Sequence, residues 1–241
     1  MISKNRIRFI KSLEQKKIRQ DEQLFVIEGE KMVNEALEWI PNKIKAIYYT
    51  SDFKFNKPTL NTEIQQLTPD ELKSISSLKT PNKALAICEF LSNKTEISTY
   101  NLVLDGIQDP GNLGTILRMA DWFGISHVIC SKDTVDCYNP KVLQATMGSI
   151  FRVSISYESL EDFFAQNIKP VYGALLDGKN LFLENFEKEG IIILGNEGNG
   201  IRESVKKHID FPITIPKYGS AESLNVATAG AIILGSVFRG I

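Results

Sequence analysis

The sequence predicts an α/β protein of two domains, and three observations predict it. From about residue 100 onward, short apolar runs of strand length alternate with segments of helical periodicity, the pattern of a parallel sheet covered on both faces. A polar, aperiodic stretch from Ser92 to Thr99 reads as a linker and divides the chain into about 1–93 and 98–241. A chain of 241 residues with a 43% hydrophobic share can bury two modest cores.

The elements follow in order. Ile7, Ile10 and Leu13 fall at helical spacing within Ser3 to Arg19. Gln23–Ile27 reads as a strand. Glu28 to Trp39 reads as a helix whose stripe is Met32, Val33, Ala36, Leu37 and Ile40, stopped by Pro41. Ile44–Tyr49 is strand-like. Thr68-Pro69-Asp70-Glu71 opens a helix with a cap, a first-turn proline and an acid three residues after the cap. Ala84–Phe90 is the last strand before the linker. Beyond it come strand Leu102–Asp105, helix Leu113–Phe123, strand Val128–Cys130, a short helix Lys141–Met147 opened by Pro140, strand Arg152–Ile155 and helix Leu160–Ile168. Strands Val171–Leu175 and Ile191–Leu194, a helical turn at Ser204–His208, strand Ile213–Ile215 and a long helix Ser223–Phe238 complete the series.

Charge is unevenly placed. The net charge is −1, but residues 1–97 carry 16 basic against 13 acidic side chains, and residues 98–241 carry 12 against 16. Lys4, Arg6, Arg8, Lys11, Lys16, Lys17 and Arg19 crowd the first 19 residues against a single acid, Glu14. A basic arm on a near-neutral chain fits contact with phosphates; a solvated helix face is the plainer alternative. Cys88, Cys130 and Cys137 show no paired spacing and only His127 and His208 are present, so neither a metal site nor a disulfide framework is expected. The charged N-terminus is no secretory signal, and the longest apolar stretch, Ala229 to Phe238, is too short to span a bilayer. A cytoplasmic protein with reduced thiols is expected.

Three stretches of the second domain lie at the C-terminal ends of strands, where α/β proteins keep their sites. The first runs from Asp105 through Asp109-Pro110-Gly111-Asn112 to Gly114 and into a helix carrying Arg118. Asp109-Pro110-Gly111 is turn chemistry, Asn112 is placed to start the helix, and Arg118 lies nearly two turns further on. The second, Gly195-Asn196-Glu197-Gly198-Asn199-Gly200, follows a buried strand and holds a lone acid among three glycines, which let a ligand approach the backbone. The third runs from Ile215-Pro216-Lys217-Tyr218-Gly219 to Glu222-Ser223-Leu224-Asn225, with Ser223 a candidate cap for a helix of small and apolar residues. Each taken singly also reads as ordinary turn and cap chemistry. No GxGxxG or GxxxxGK[ST] loop occurs, which counts against dinucleotide and nucleoside-triphosphate sites.

Together these stretches resemble the three signature motifs of the SpoU (TrmH-like) family of RNA 2′-O-methyltransferases, within the SPOUT class: D-x-x-x-x-P-x-N-x-G-x-x-x-R, G-N-E-G-x-G and I-P-x-x-G-x-x-x-S-L-N-V, each once and in order. Asn139-Pro140-Lys141 and Met147 to Arg152 are similar to the family's middle segment, and Phe25-Val26-Ile27-Glu28-Gly29-Glu30-Lys31 to the opening of its small, ribosomal-protein-like substrate-binding domain. Lys217 departs from the methionine of many relatives and adds a charge near the RNA.

The resemblance implies a parallel-sheet methyltransferase domain with a C-terminal trefoil knot behind a small N-terminal α/β RNA-binding domain, a homodimer formed through the knot, and S-adenosylmethionine as cofactor. It implies that Gly195, Asn196, Ile215 and Leu224 hold the cofactor, with Ala174 and Leu175 beside the adenine. Arg118 is the residue expected at the ribose hydroxyl, oriented with Asn112, Glu197, Ser223 and Asn225. A guanidinium resists deprotonation, so Arg118 is expected to stabilise a developing alkoxide or grip the adjacent phosphate, and Glu197 is the alternative proton acceptor. Lys4, Arg8, Lys11, Lys16, Lys17, Arg19 and Lys31 are expected on a structured RNA, ribosomal rather than transfer RNA because the opening segment looks like that of the rRNA-type relatives. The competing readings are a SPOUT-class base methyltransferase and a non-catalytic RNA-binding or ribosome-assembly protein.

Overall fold

The computed structural model describes residues 1–55, 62–92 and 99–240; most of the expected linker, 93–98, lies outside the described residues. By contacts the chain forms two units: Met1–Ser92 with Tyr138–Arg152, and Asn93–Cys137 with Val153–Ile241. The short segment Tyr138–Arg152 therefore packs with the N-terminal unit, although it lies in sequence within the second expected domain.

The first unit begins with two helices, α1 (Lys4–Ser12) and α2 (Lys16–Glu22), where the sequence suggests one. The break has a physical cause. Arg19 is buried, and its guanidinium donates to the carbonyls of Leu13 (2.9 Å) and Glu14 (2.7 Å), acceptors that a continuous helix would satisfy from its own backbone. Strands β1 (Leu24–Glu28), β2 (Ile44–Tyr49), β3 (Glu63–Gln66) and β4 (Ala84–Glu89) form one sheet in the order β1-β4-β2-β3. Strand β3 went unread because it is a polar edge strand without apolar alternation. Helix α3 (Glu30–Trp39) starts after Gly29, which takes φ +103°, and α4 (Pro69–Ile75) carries the expected capping box between Thr68 and Glu71. Ile10, Leu13, Leu72 and Ile75 meet Tyr48, Leu85 and Ile87 in the core. From the second piece of this unit, α6 (Pro140–Thr146) packs near β1, and the Tyr138 ring stacks on Phe25 (4.6 Å) and Phe90 (4.1 Å); the helix between α4 and α6 in chain order belongs to the other unit.

That second unit has a six-stranded parallel sheet of β5 (Tyr100–Asp105), β6 (His127–Ser131), β7 (Ser154–Glu158), β8 (Val171–Asn180), β9 (Gly190–Gly195) and β10 (Phe211–Thr214), in the order β10-β8-β9-β5-β6-β7. Its central strands are buried on both faces, as the apolar runs require. Helices α7 (Leu160–Ala165) and α8 (Glu203–Lys206) pair up over Val103, Ile129, Ile191 and Ile193. Helices α5 (Pro110–Trp122) and α9 (Val226–Val237) pack together, α9 also against β9, where Gly230 leaves room for Leu194 and Met119. The pairing of β8 with β10 jumps from Gly173 to Lys179 between the consecutive residues Pro212 and Ile213, so residues 174–178 leave the ladder as a broad bulge. Among the described residues no helix is long and apolar enough to cross a membrane, and no group of three or more His, Cys, Asp or Glu could hold a metal ion.

Candidate active site

Because the sheet is parallel, the segments after β5, β9 and β10 emerge at the same edge. The one after β5 turns through Gly106 to Asp109, which caps α5 by accepting from the Asn112 amide at 2.8 Å. Asp109, rather than Asn112, is thus the helix cap, and the Asn112 side chain is released for another task. Its Nδ2 donates to Glu197 Oε1 at 3.0 Å, across 85 residues of sequence. The Glu197 carboxylate also accepts the amides of Asp109 (3.1 Å) and Gln108 (3.2 Å), so it closes over the turn after β5.

The segment after β10 joins the same network. The cap of α9 is Asn225, not Ser223: its Oδ1 accepts from the amides of Ala227 (3.0 Å) and Thr228 (3.2 Å). Its Nδ2 donates to Asn112 Oδ1 at 2.8 Å. The directions are forced from both ends. A carboxylate can only accept, so Asn112 must turn its amine to Glu197; helix amides can only donate, so Asn225 must turn its oxygen to α9. The two remaining groups, an oxygen and an amine, then face each other. Burial pushes the Glu197 pKa up, but hydrogen bonds from Asn112, from its own loop backbone, from Asp109 and from Gln108 outweigh this and hold it below the ordinary carboxylate value. An anion so fully engaged is a structural acceptor and a poor general base.

Asn196 has a different task from the one expected. Its Nδ2 donates to Gly106 O at 2.7 Å, its Oδ1 accepts the amides of Gly198 and Asn199, and its backbone exchanges two 3.0 Å bonds with Gly200. The side chain of Asn196 thus shapes the loop. Gly195 is there because the loop folds back on it: a Cβ would lie 2.3 Å from the Gly200 carbonyl carbon.

The other expected residues stand apart from the network. The side chains of Arg118 and Ser223 are exposed and make no hydrogen bond or ion pair among the described residues. Ala174 and Leu175, half-buried, open the bulge of β8; Ile215 is half-buried and Leu224 is 48% exposed. Leu176 in the bulge is 79% exposed, and its carbonyl accepts from Thr214 Oγ1 at 3.2 Å. Exposed Leu176 and Leu224 offer apolar surface, and the glycine loop offers backbone, of the kinds that an adenosine moiety asks for. A cavity of about 580 Å³ is lined by α7 residues, Tyr157 and Lys169, with none from the three loops.

In the first unit Lys4, Arg8 and Lys11 share one exposed face of α1, Lys16 and Lys17 are exposed on α2, and Lys31 is exposed on α3. Arg19 must be struck from the set expected on RNA, because burial and its two carbonyl partners hold it inside. Sequence reasoning also missed Arg202, whose ion pair with Asp105 underlies the loops. A lone acid ending an otherwise apolar strand was the available signal.

Residues 99–235 match the model of the SpoU rRNA methylase family, and residues 4–86 match that of the MRM3-like substrate-binding domain. The chain is 35% identical over 231 residues to the 23S rRNA (guanosine(2553)-2′-O)-methyltransferase RlmP of Bacillus subtilis, covering 93% of this chain and 92% of that one. Among solved structures it is similar to a TrmH-family protein from Porphyromonas gingivalis, with TM-score 0.90, 38% identity and full coverage of both chains. It is also similar to an AdoMet-bound rRNA methyltransferase from Sinorhizobium meliloti, with TM-score 0.86, 27% identity and coverage of 100% of this chain and 97% of that one.

Proposed function

The chain belongs to the SpoU rRNA methylase family and is an S-adenosylmethionine-dependent RNA 2′-O-methyltransferase, and on that premise we propose that its substrate is ribosomal RNA and that the three loops joined by Glu197, Asn112 and Asn225 form its reaction site. The observation that carries the site is this single run of hydrogen bonds, which unites the ends of β5, β9 and β10. A relative that methylates a guanosine ribose of 23S rRNA supports the substrate class.

S-adenosylmethionine supplies a methyl group already activated on a sulfonium. The protein's work is to place the ribose and help its 2′-hydroxyl lose a proton, which is catalysis by position and electrostatics. In our reading the backbone of Gly195, Ile215 and Leu224 holds the cofactor, with Ala174 and Leu175 at the adenine. Arg118, unpaired on α5, meets the nucleotide and stabilises charge on the hydroxyl oxygen, and Ser223 orients the ribose. Glu197 fixes the loops instead of taking the proton. The exposed bases on α1 and α2, with Lys31, hold RNA phosphates.

We further assign a homodimer through the α5–α9 face and a C-terminal knot. Trp122 is 85% exposed one turn beyond Arg118 on α5, and Thr228, Ala231 and Gly235 leave an exposed strip of small side chains on α9. Work on ribosomal RNA sets the protein in the cytoplasm.

The test is transfer of tritiated methyl from S-adenosylmethionine to total RNA, followed by mapping of alkali-resistant linkages. Label in 23S rRNA at one resistant linkage is expected. Label on a base, or transfer to tRNA alone, overturns the substrate assignment. Sedimentation at equilibrium should return twice the monomer mass of 27.1 kDa.

A further inference from the structure

One ionic cluster lies beneath the loops without a part in that reading. Asp105 ends β5 opposite Gly195 in the ladder, and its carboxylate is fully buried. Its Oδ2 accepts the Arg202 amide at 2.8 Å, while Oδ1 accepts Arg202 Nε at 2.7 Å and lies 2.5 Å from Nη2. The same Nη2 is 3.3 Å from Asp133 Oδ1, in the turn after β6. Next along the chain, Gly106 donates its amide to Ser131 Oγ (2.8 Å) and gives its carbonyl to Asn196 Nδ2. One guanidinium therefore ties the chain just past the Gly195–Gly200 loop to the ends of two other strands.

Asp105 is fully buried while the Arg202 side chain is 47% exposed, and an ion pair with a buried member is weak evidence for stability, because an apolar pair of similar volume often serves a fold as well. What an apolar pair cannot do is fix direction: the Arg202 fork holds the exit of the loop at one height and angle against β5. The loop's entry is fixed by the β5–β9 ladder. With both ends set, the carboxylate of Glu197 meets the amides of Gln108 and Asp109 and the side chain of Asn112.

We propose that Arg202 is a positioning residue for methyl transfer: held by Asp105, it sets the loop geometry that binds the cofactor and aligns Glu197 with Asn112. The proposal rests on the reading of these loops as the cofactor site.

The experiment pairs stability with cofactor binding in the full-length protein. Single Arg202→Met leaves Asp105 buried and unpaired and lowers the melting temperature. The double variant Asp105→Leu, Arg202→Met removes both charges and should recover much of that loss. Its affinity for S-adenosylmethionine, by titration calorimetry, is expected to stay about tenfold or more below wild type, since small misplacements in a site are costly. Recovery of affinity together with stability makes the pair merely structural and overturns the proposal. Arg202→Lys keeps the charge and loses the fork; it is expected to fold, to raise KM for the cofactor about fivefold or more, and to change kcat less. An unchanged KM overturns the proposal even if the double variant does not fold. Wild-type protein that binds no S-adenosylmethionine would instead strike at the assignment of the cofactor site.

Discussion

Asn225 donates a side-chain N–H to Asn112 Oδ1 at 2.8 Å across 113 residues of sequence, while its own oxygen caps α9. One side chain thus has two separable functions. Asn225→Asp keeps the capping oxygen but sets an acceptor against an acceptor; we expect a melting temperature near wild type and at least about tenfold weaker methyl transfer, as misaligned groups lose rate steeply. Asn225→Ala loses both functions and should also cost about 1 kcal/mol of stability, the worth of a helix cap. Equal activity in the two proteins, measured by tritium transfer, with wild-type-like rates would remove Asn225 from the site.

Arg118 differs from the residues of the network in that its side chain has no hydrogen-bond or ion-pair partner among the described residues. Arg118→Ala should leave the fold and cofactor affinity intact and lower single-turnover methylation by about 100-fold or more, the scale of losing an electrostatic stabiliser. Retained turnover in that assay excludes Arg118 from the chemical step.

Glu197 sets a pH prediction. Its folded-state pKa is lowered, so its contribution to loop order is complete above the ordinary carboxylate value of 4.5 and is lost as pH falls through the lower folded value. Cofactor affinity should therefore be flat with respect to Glu197 from weakly acidic to neutral pH and weaken only in stronger acid. Glu197→Gln should weaken binding at neutral pH, because an amide cannot accept from every donor that the carboxylate serves. A Glu197-dependent limb near neutrality in the rate profile would restore it as the general base.

The basic residues of the first unit divide into two kinds. Lys4→Glu with Lys11→Glu should weaken RNA binding without lowering the melting temperature, and should reduce the salt dependence of binding by about one unit of slope per lost phosphate contact. Arg19→Met should do the reverse: RNA affinity per folded molecule is kept, while stability falls by about 1–3 kcal/mol as buried carbonyls lose their donors. Thermal melts and salt-dependent titrations separate the two.

Gly195 tests the loop itself. With a Cβ only 2.3 Å from backbone carbon, Gly195→Ala must displace the Gly200 turn. Cofactor binding should be lost to calorimetry, while circular dichroism shows an intact α/β fold. Undiminished binding would show that the loop's closed form is dispensable.

Much of this was legible in the chain. The apolar runs that became β5, β6 and β9 are buried on both faces and leave little choice of element, and Asn112, Glu197 and Asn225 were each visible as a polar residue in a loop after a strand. Their mutual bonds were not visible, because the strand order β10-β8-β9-β5-β6-β7 brings together loops that lie 85 and 113 residues apart. Local propensity also misassigned the caps: Asn112 and Ser223 are good cap residues, but so are Asp109 and Asn225, which cap α5 and α9, and propensity does not rank neighbours of equal merit. Arg19 looked like its basic neighbours, and only the helix break above it reveals why it is inside. For Arg202 the signal lay elsewhere, in Asp105, the lone acid ending an apolar strand 97 residues upstream.

The run from Glu197 through Asn112 to Asn225 also has a consequence for synthesis. Its members leave the ribosome in the order Asn112, Glu197, Asn225. Until Asn225 has been added, Asn112 Oδ1 is without this donor. Order in the loop after β5 thus depends on a residue that follows it by 113 positions, so the proposed reaction site is expected to form only when Asn225 has docked.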